Sequence, residues 1–294
     1  MILGCDVSKW QGKMNWKQAV SSGAEYGKIR AGSINNITGV CYEDYQLQNN
    51  LHAAESILPI GFYWYFRGNH DPIKQADYYS ELVQWSLSRV MWADVEEQGG
   101  LTPERLRDSI AKFVGRIYSN LGVWPGIYTR STVWNPYSYG DPPKRGGVAE
   151  SALWPKLSLW IARYGVSSPW VYGSRYKPRD WSTWNFWQFS ADKNGRGREF
   201  GADSDDIDLN WFNGDRRELD LFFGLSTPAA AGIRRGTITS GIGLYIRAAA
   251  ARDASLLGSA RYGSTWEVVD SQAGADGKVW HKLAGWAHGD YIKT

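Results

Sequence analysis

The residues best equipped for chemistry are carboxylates that stand where strands should be apolar. Met91-Trp92-Ala93-Asp94-Val95-Glu96 carries an acidic pair two residues apart, Ile2-Leu3-Gly4-Cys5-Asp6-Val7 carries Asp6, and Asp206-Ile207-Asp208-Leu209-Asn210 carries Asp208. Strands normally disfavour such residues. On an extended chain, positions i and i+2 share a face with Cα atoms roughly 6–7 Å apart, so Asp94 and Glu96 are neighbours. Adjacent carboxyls repel each other's ionised forms, which drives one to hold a proton while the other stays charged. Glycoside hydrolysis needs that division: one carboxyl protonates the leaving oxygen and another remains an anion. Alone, an Asp-x-Glu running into Glu97-Gln98-Gly99-Gly100 is more often a polar strand end. Asp6 and Asp208 on other strand ends reverse that balance.

Other reactive types are sparse. Cys5 and Cys41 form no Cys-x-x-Cys pair and no disulfide framework. His52, His70, His281 and His288 show no metal-ligand spacing, so neither a metal nor a cofactor is expected. The chain holds 17 Trp, 17 Tyr and 9 Phe in 294 residues, more rings than a core alone calls for. Trp and Tyr combine an apolar face with a polar edge, which suits a groove for sugars or bases. A net charge of +3 is too weak for a phosphate-binding footprint, so nucleic acid is not an expected partner. No apolar run approaches the roughly 18 residues of a membrane span, and no membrane insertion is expected. The start Met1-Ile2-Leu3-Gly4 lacks the features of a secretory signal.

The elements that must position these residues divide the chain in two. Residues 1–224 balance 25 basic against 25 acidic residues and hold 14 of the Trp, whereas 225–294 carry 8 basic and 5 acidic residues. Small residues in Leu225-Ser226-Thr227-Pro228-Ala229-Ala230-Ala231-Gly232 read as a linker over 225–235. In the first part, strands are predicted at 2–7, 26–31, 59–66, 90–95, 124–129, 157–164, 185–190 and 206–209. Helices are predicted at 16–22, 42–56, 73–87 and 103–121. Thr102, Pro103 and Gly122 supply cap, first position and terminator for the last of these. This alternation predicts an α/β fold with a largely parallel sheet, a (β/α) barrel or a variant of one, with helical signals fading after 140. Residues 236–294 read as all-β, with strands at 243–247, 265–270, 279–283 and 291–293.

In such a barrel, chemistry sits at the C-terminal strand ends, where Asp6, Asp94, Glu96 and Asp208 fall. Gly4-Cys5-Asp6-Val7-Ser8-Lys9-Trp10-Gln11-Gly12 with Asn15-Trp16 resembles the opening signature of the lysozymes of glycoside hydrolase family 25. Further stretches agree in order: Gly61-Phe62-Tyr63-Trp64-Tyr65-Phe66, Asp94-Val95-Glu96, Gly126-Ile127-Tyr128, Leu159–Tyr164, Trp187-Gln188-Phe189 and Ile207–Asn210. The resemblance spans residues 2–212. Two positions depart from the family pattern. Arg30-Ala31-Gly32-Ser33 stands for Lys-Ala-Ser/Thr-Glu-Gly, and Tyr63-Trp64 for Tyr-His.

The resemblance implies an irregular (β/α) TIM-like barrel acting as an N-acetylmuramidase on the β-1,4 bond of bacterial peptidoglycan. Glu96 would be the general acid and Asp94 would orient the reacting sugar or stabilise its charge. Asp6 would hold the site's electrostatics, and Asp208 would complete the cluster. Tyr63, Tyr65, Tyr128, Trp160, Tyr164 and Trp187 would line the groove. A substrate-assisted retaining route is favoured, with an inverting route through Asp6 or Asp208 as competitor. Gly243-Leu244-Tyr245-Ile246-Arg247 and Lys278–Leu283 with Gly285–Ile292 resemble bacterial SH3-like wall-binding domains, which implies a small second barrel that tethers the enzyme. With no export signal, a monomeric phage endolysin is expected, made in the host cytoplasm and acting on the wall at lysis. The alternatives are a Cys/His wall amidase or endopeptidase, using Cys5 or Cys41 with His52 or His70, and a non-catalytic wall-binding lectin.

Overall fold

In the computed structural model the acidic strand ends meet at one rim of a closed barrel. The structure describes residues 1–135, 147–165 and 177–225, apart from 87, 89, 192 and 193, and beyond these chiefly the strands between 234 and 293. The chain divides into two compact units, Met1–Val83 with Ser88–Leu225 and Ser226–Thr294 with Gln84–Leu87.

The first unit is built on nine strands: β1 (Ile2–Val7), β2 (Gly27–Ile34), β3 (Cys41–Glu43), β4 (Ile60–Tyr65), β5 (Met91–Asp94), β6 (Gly126–Thr129), β7 (Leu159–Ala162), β8 (Phe186–Ser190) and β9 (Asp208–Phe212). Eight of them close a ring in the order β1-β2-β4-β5-β6-β7-β8-β9, with β3 hung on β2 outside it. Seven are parallel, but β9 runs antiparallel to both β8 and β1. A reversed strand presents its beginning, not its end, at the rim where the parallel strands finish. Asp208 therefore sits opposite Asp6 in the β1–β9 register although it opens its strand.

Among the described residues, six α-helices accompany the strands: α1 (Trp16–Ser21), α2 (Leu47–Ala54), α3 (Pro72–Val83), α4 (Pro103–Leu121), α5 (Ser131–Trp134) and α6 (Arg216–Phe222). In α4 the Thr102 hydroxyl accepts from Arg105 N–H, and Gly122 closes the helix at φ 73°, its N–H donating to Tyr118 O. That left-handed conformation suits glycine. Helix is scarce in the described residues after α4, where α5 spans four residues and α6 seven.

Two apolar layers follow from the period of two along the strands. Cys5, Val7, Ile29, Phe62, Ile127, Ile161, Trp187 and Leu209 face one layer, which they share with the helices. Tyr63, Trp92, Tyr128, Trp160, Phe186 and Phe212, at the alternate strand positions, belong to the other, inside the barrel. Leu219 and Phe223 of the α6 region join this inner layer. Phe222 stacks on Trp92 at 6.1 Å and meets Phe186 edge-on at 5.1 Å. These residues floor the barrel at the end away from the carboxylates.

One expected element is corrected. The segment 42–56 is not one helix: Cys41–Glu43 pairs antiparallel with β2 before α2 begins at Leu47. The turn between the two strands is fixed by Asn35, whose side chain accepts from Ile37 and Thr38 N–H, and by Gly39 at φ 63°.

In the second unit the described residues form β10 (Arg234–Ile238), β11 (Leu244–Arg247), β12 (Leu256–Ala260), β13 (Thr265–Val268), β14 (Asp270–Ala273), β15 (Val279–Lys282), β16 (Trp286–His288) and β17 (Ile292–Lys293). They make a three-stranded sheet, β13-β10-β17, and a five-stranded sheet, β12-β11-β16-β15-β14, with every pairing antiparallel. Ile238, Ile246 and Trp280 are buried. Residues 226–233 of the expected linker, and Tyr291, lie outside the described residues.

Candidate active site

Asp6, Asp94, Glu96 and Asp208 come together at the rim, where Gln188 joins Asp6 to Asp208. Its amide Nε2 donates to Asp6 Oδ2 at 2.9 Å and to Asp208 Oδ2 at 3.2 Å. Its Oε1 accepts from the hydroxyls of Tyr128 at 2.7 Å and Tyr164 at 2.5 Å. One side chain thus ties β1, β6, β9 and the segment after β7. Asn210, two residues into β9 on the same face as Asp208, donates to Asp6 Oδ2 at 2.7 Å and accepts from Trp160 Nε1 at 2.7 Å. Burial pushes the Asp6 carboxyl upward, and the two amide donors oppose that rise. Asp6 is therefore a fixed acceptor, with its Oδ2 already engaged twice.

Asp94 and Glu96 behave differently. Asp94 is 3% exposed, and its Oδ1 has no hydrogen-bond partner among the described residues. Burial drives its carboxyl well above the ordinary carboxylate range, the neighbouring Glu96 charge adds to that, and Arg30 opposes it. Glu96 is also raised by burial, but Arg130 works against the rise. Arg130 Nη2 donates to Glu96 Oε2 at 2.8 Å. The two carboxyls are close enough for each to influence the other's ionisation. Both carboxyls are thus raised by burial and each is opposed by an arginine, Arg30 for Asp94 and Arg130 for Glu96.

The aromatic groove narrows. Tyr164 is half-exposed and Tyr65 partly exposed, as a groove needs. Tyr63 and Tyr128 are buried; the Tyr63 hydroxyl donates to Val7 O, and that of Tyr128 to Gln188. Trp160 lies beneath Tyr128 with ring centroids 4.4 Å apart and is buried. Trp187 is also buried, and strand alternation places it on the opposite face of β8 from Gln188. Trp160 and Trp187 are therefore core residues and not groove lining. Cys5 is fully buried and its thiol is pushed far up by burial and by Asp6, while the His52 side chain is exposed. No activated thiolate results.

Three features escaped the sequence reading. Gln188 and Asn210 were visible only as polar residues alternating with rings on acidic strands. Trp10, in the first motif, is 70% exposed beside the exposed Tyr45, whose hydroxyl donates to Lys9 O. Lys28, the register partner of Asp6 on β2, is fully buried inside the barrel. Its Nζ lies 3.5 Å from the Trp160 ring centroid, 3.7 Å from Phe186 and 5.1 Å from Trp92, with no hydrogen-bond partner among the described residues.

Comparisons with known proteins identify the family and the fold. The family model for glycosyl hydrolases family 25 matches residues 5–198. Lysozyme M1 of Streptomyces globisporus is 31% identical over 230 residues, covering 74% of this chain and 70% of that protein. The bacterial lysozyme of Streptomyces coelicolor superposes with a TM-score of 0.59 at 27% identity, over 76% of this chain and 98% of its own. A family 25 lysozyme from Aspergillus fumigatus, 22% identical, shares the fold with a TM-score of 0.58 over 76% of this chain and 98% of its own.

Proposed function

The chain belongs to glycosyl hydrolases family 25 and is a glycosidase of the lysozyme type, a muramidase; from that premise we propose that it cleaves the β-1,4 bond between N-acetylmuramic acid and N-acetylglucosamine in bacterial peptidoglycan, with Glu96 as general acid. The observation that carries this reading is the Asp94/Glu96 pair at the barrel mouth, both carboxyls raised by burial, with Asp94 Oδ1 unpartnered among the described residues.

A 2-acetamido group on the reacting sugar offers an N–H to that free oxygen. Asp94, once ionised, orients the amide so that its carbonyl oxygen attacks the anomeric carbon while Glu96 protonates the departing oxygen. Glu96 then takes a proton from the water that opens the cyclic intermediate. The inverting alternative would need Asp6 or Asp208 to activate water. Asp6 is poorly suited, since its Oδ2 already accepts from two amides.

The same proposal assigns residues 1–224 to catalysis, 225–235 to a linker and 236–294 to an SH3-like wall-binding domain. Its all-β sheets and buried Trp280 support that assignment. An endolysin's place of action, the wall at host lysis, completes it.

The deciding experiment is digestion of purified peptidoglycan by the wild type and Glu96→Gln. New reducing ends that terminate in muramic acid, absent with the variant, are the expected result. Free amines without reducing ends would sink the proposal. An initial β-anomer at the new end supports the substrate-assisted route, and an initial α-anomer rules it out.

A further inference from the structure

Glu96 and Arg130 stand face to face because each lies two residues beyond a register pair, Asp94 on β5 and Tyr128 on β6. The tails of these strands are braced without them: Val95 N–H donates to Tyr128 O at 2.9 Å, and Thr129 Oγ1 donates to Val95 O at 2.8 Å. Arg130 begins α5 but makes no side-chain cap bond to it. Its side chain is 46% exposed, against 27% for Glu96. The guanidinium is thus an open-sided clamp on the residue assigned as acid, and the local fold does not depend on it.

Such a clamp conflicts with the work of an acid. A carboxylate held by a guanidinium resists protonation, yet Glu96 must carry a proton when the glycosidic bond breaks. The groups facing Glu96 are Asp94 from β5, Asp6 from β1, Tyr65 from β4, Tyr128 and Arg130 from β6, and Tyr164 after β7. Arg130 is the cation among them that is half open to solvent, and it lies where an incoming substrate can reach it.

We propose that Arg130 is a latch on Glu96: it pairs with the carboxylate in the free enzyme and leaves it for a carboxylate carried by the bound glycan. The proposal rests on Glu96 as the general acid. When Arg130 turns to the substrate anion, the Glu96 carboxylate takes up a proton from a neighbouring acid or water, and the Asp94 carboxylate is met by the acetamido N–H. One O–H bond breaks and another forms, and nothing else changes. Substrates bearing an acid in the right place therefore arm the enzyme, and neutral glycans leave it latched. The carboxylate has two sources in a peptidoglycan strand, the lactyl group of muramic acid and the peptide stem attached to it.

The test uses the full chain as wild type, Arg130→Gln and Arg130→Lys. Three substrates are compared: glycan with stems, stem-free glycan with its lactyl carboxylate, and stem-free glycan with the lactyl group amidated. For the wild type, kcat/KM on a carboxylate-bearing strand should exceed that on the amidated strand by about tenfold, the worth of one charge-assisted contact. Whichever acidic strand shows the preference identifies the source. Arg130→Gln should erase the preference and move the alkaline limb of kcat/KM up by about one pH unit, since an opposed charge no longer favours the ionised acid. Arg130→Lys should restore most of both. An Arg130→Gln enzyme with the wild-type limb and preference, or one slowed equally on all substrates at an unchanged limb, overturns the latch. Full activity in Glu96→Gln would instead overturn the assignment of the acid, a separate outcome.

Discussion

Replacing Lys28 with methionine tests what a buried cation does in the centre of this barrel. The Nζ has no hydrogen-bond partner among the described residues and sits among the rings of Trp160, Phe186, Trp92 and Tyr26 at 3.5–5.6 Å. A desolvated cation over aromatic faces gains about 2 kcal/mol or somewhat more. Removing an ammonium from water costs several kcal/mol even after relaxation. Methionine keeps the length of the side chain and recovers about 0.3–1.5 kcal/mol per sulfur–ring contact. Lys28→Met should therefore leave the barrel more stable at pH 7 by about 1–3 kcal/mol. The pH dependence is the sharper signature. Burial holds the Lys28 amine well below its usual 10.5, while Asp6 opposes that shift. Between the lowered value and 10.5 the unfolded chain binds the extra proton, so wild-type stability rises with pH, at most by about 1.4 kcal/mol per unit. A thioether does not titrate and cannot contribute that slope, so the variant's advantage should shrink toward pH 10. Urea unfolding of both proteins between pH 6 and 10, followed by tryptophan fluorescence, measures the difference. A variant destabilised by several kcal/mol, or an advantage constant with pH, would refute the reasoning.

Asp94→Asn should abolish most turnover, by about 10²–10⁴-fold, yet raise stability at neutral pH. The folded carboxyl holds its proton above the range of the unfolded one, so wild-type stability falls as pH rises from about 4, and the asparagine variant should lack that decline in thermal melts. Gln188→Ala removes one amide from four partners and should cost about 2–3 kcal/mol in urea unfolding, with kcat falling along with stability. Wild-type stability would show that the network is dispensable. Trp160→Phe preserves the ring but leaves Asn210 Oδ1 without its donor, an expected loss of about 1–3 kcal/mol; a loss below about 0.5 kcal/mol would mean another donor takes over. Gly122→Ala, at φ 73°, should lower stability by about 1 kcal/mol, and an unchanged melting temperature would show the end of α4 to be frayed.

Legibility in the sequence followed the range of the interactions. The strand Ile2–Val7 and the helix Pro103–Leu121 appear with the predicted bounds, since local pattern and caps determine both. The hairpin at Cys41–Glu43 depends on pairing with β2, which no local pattern announces. The reversed direction of β9 was invisible for the same reason: its residues alternate as any strand's would. The four acids stood out because they interrupt apolar runs. Gln188, Asn210 and Lys28 did not, because their importance comes from cross-strand register. Trp187 misled, since a ring beside a functional residue on a strand must point the other way. In the second unit, β10, β12 and β16 are short strands whose apolar pattern is too brief to read.

The floor formed by Leu219, Phe222 and Phe223 makes the barrel a blind well. An opening at both ends would let water and protons pass beneath the acids. With the lower end packed by rings, Lys28 lies fully buried inside the barrel, and its register partner Asp6 stands at the mouth with Gln188. A glycan lying across that mouth corks the well.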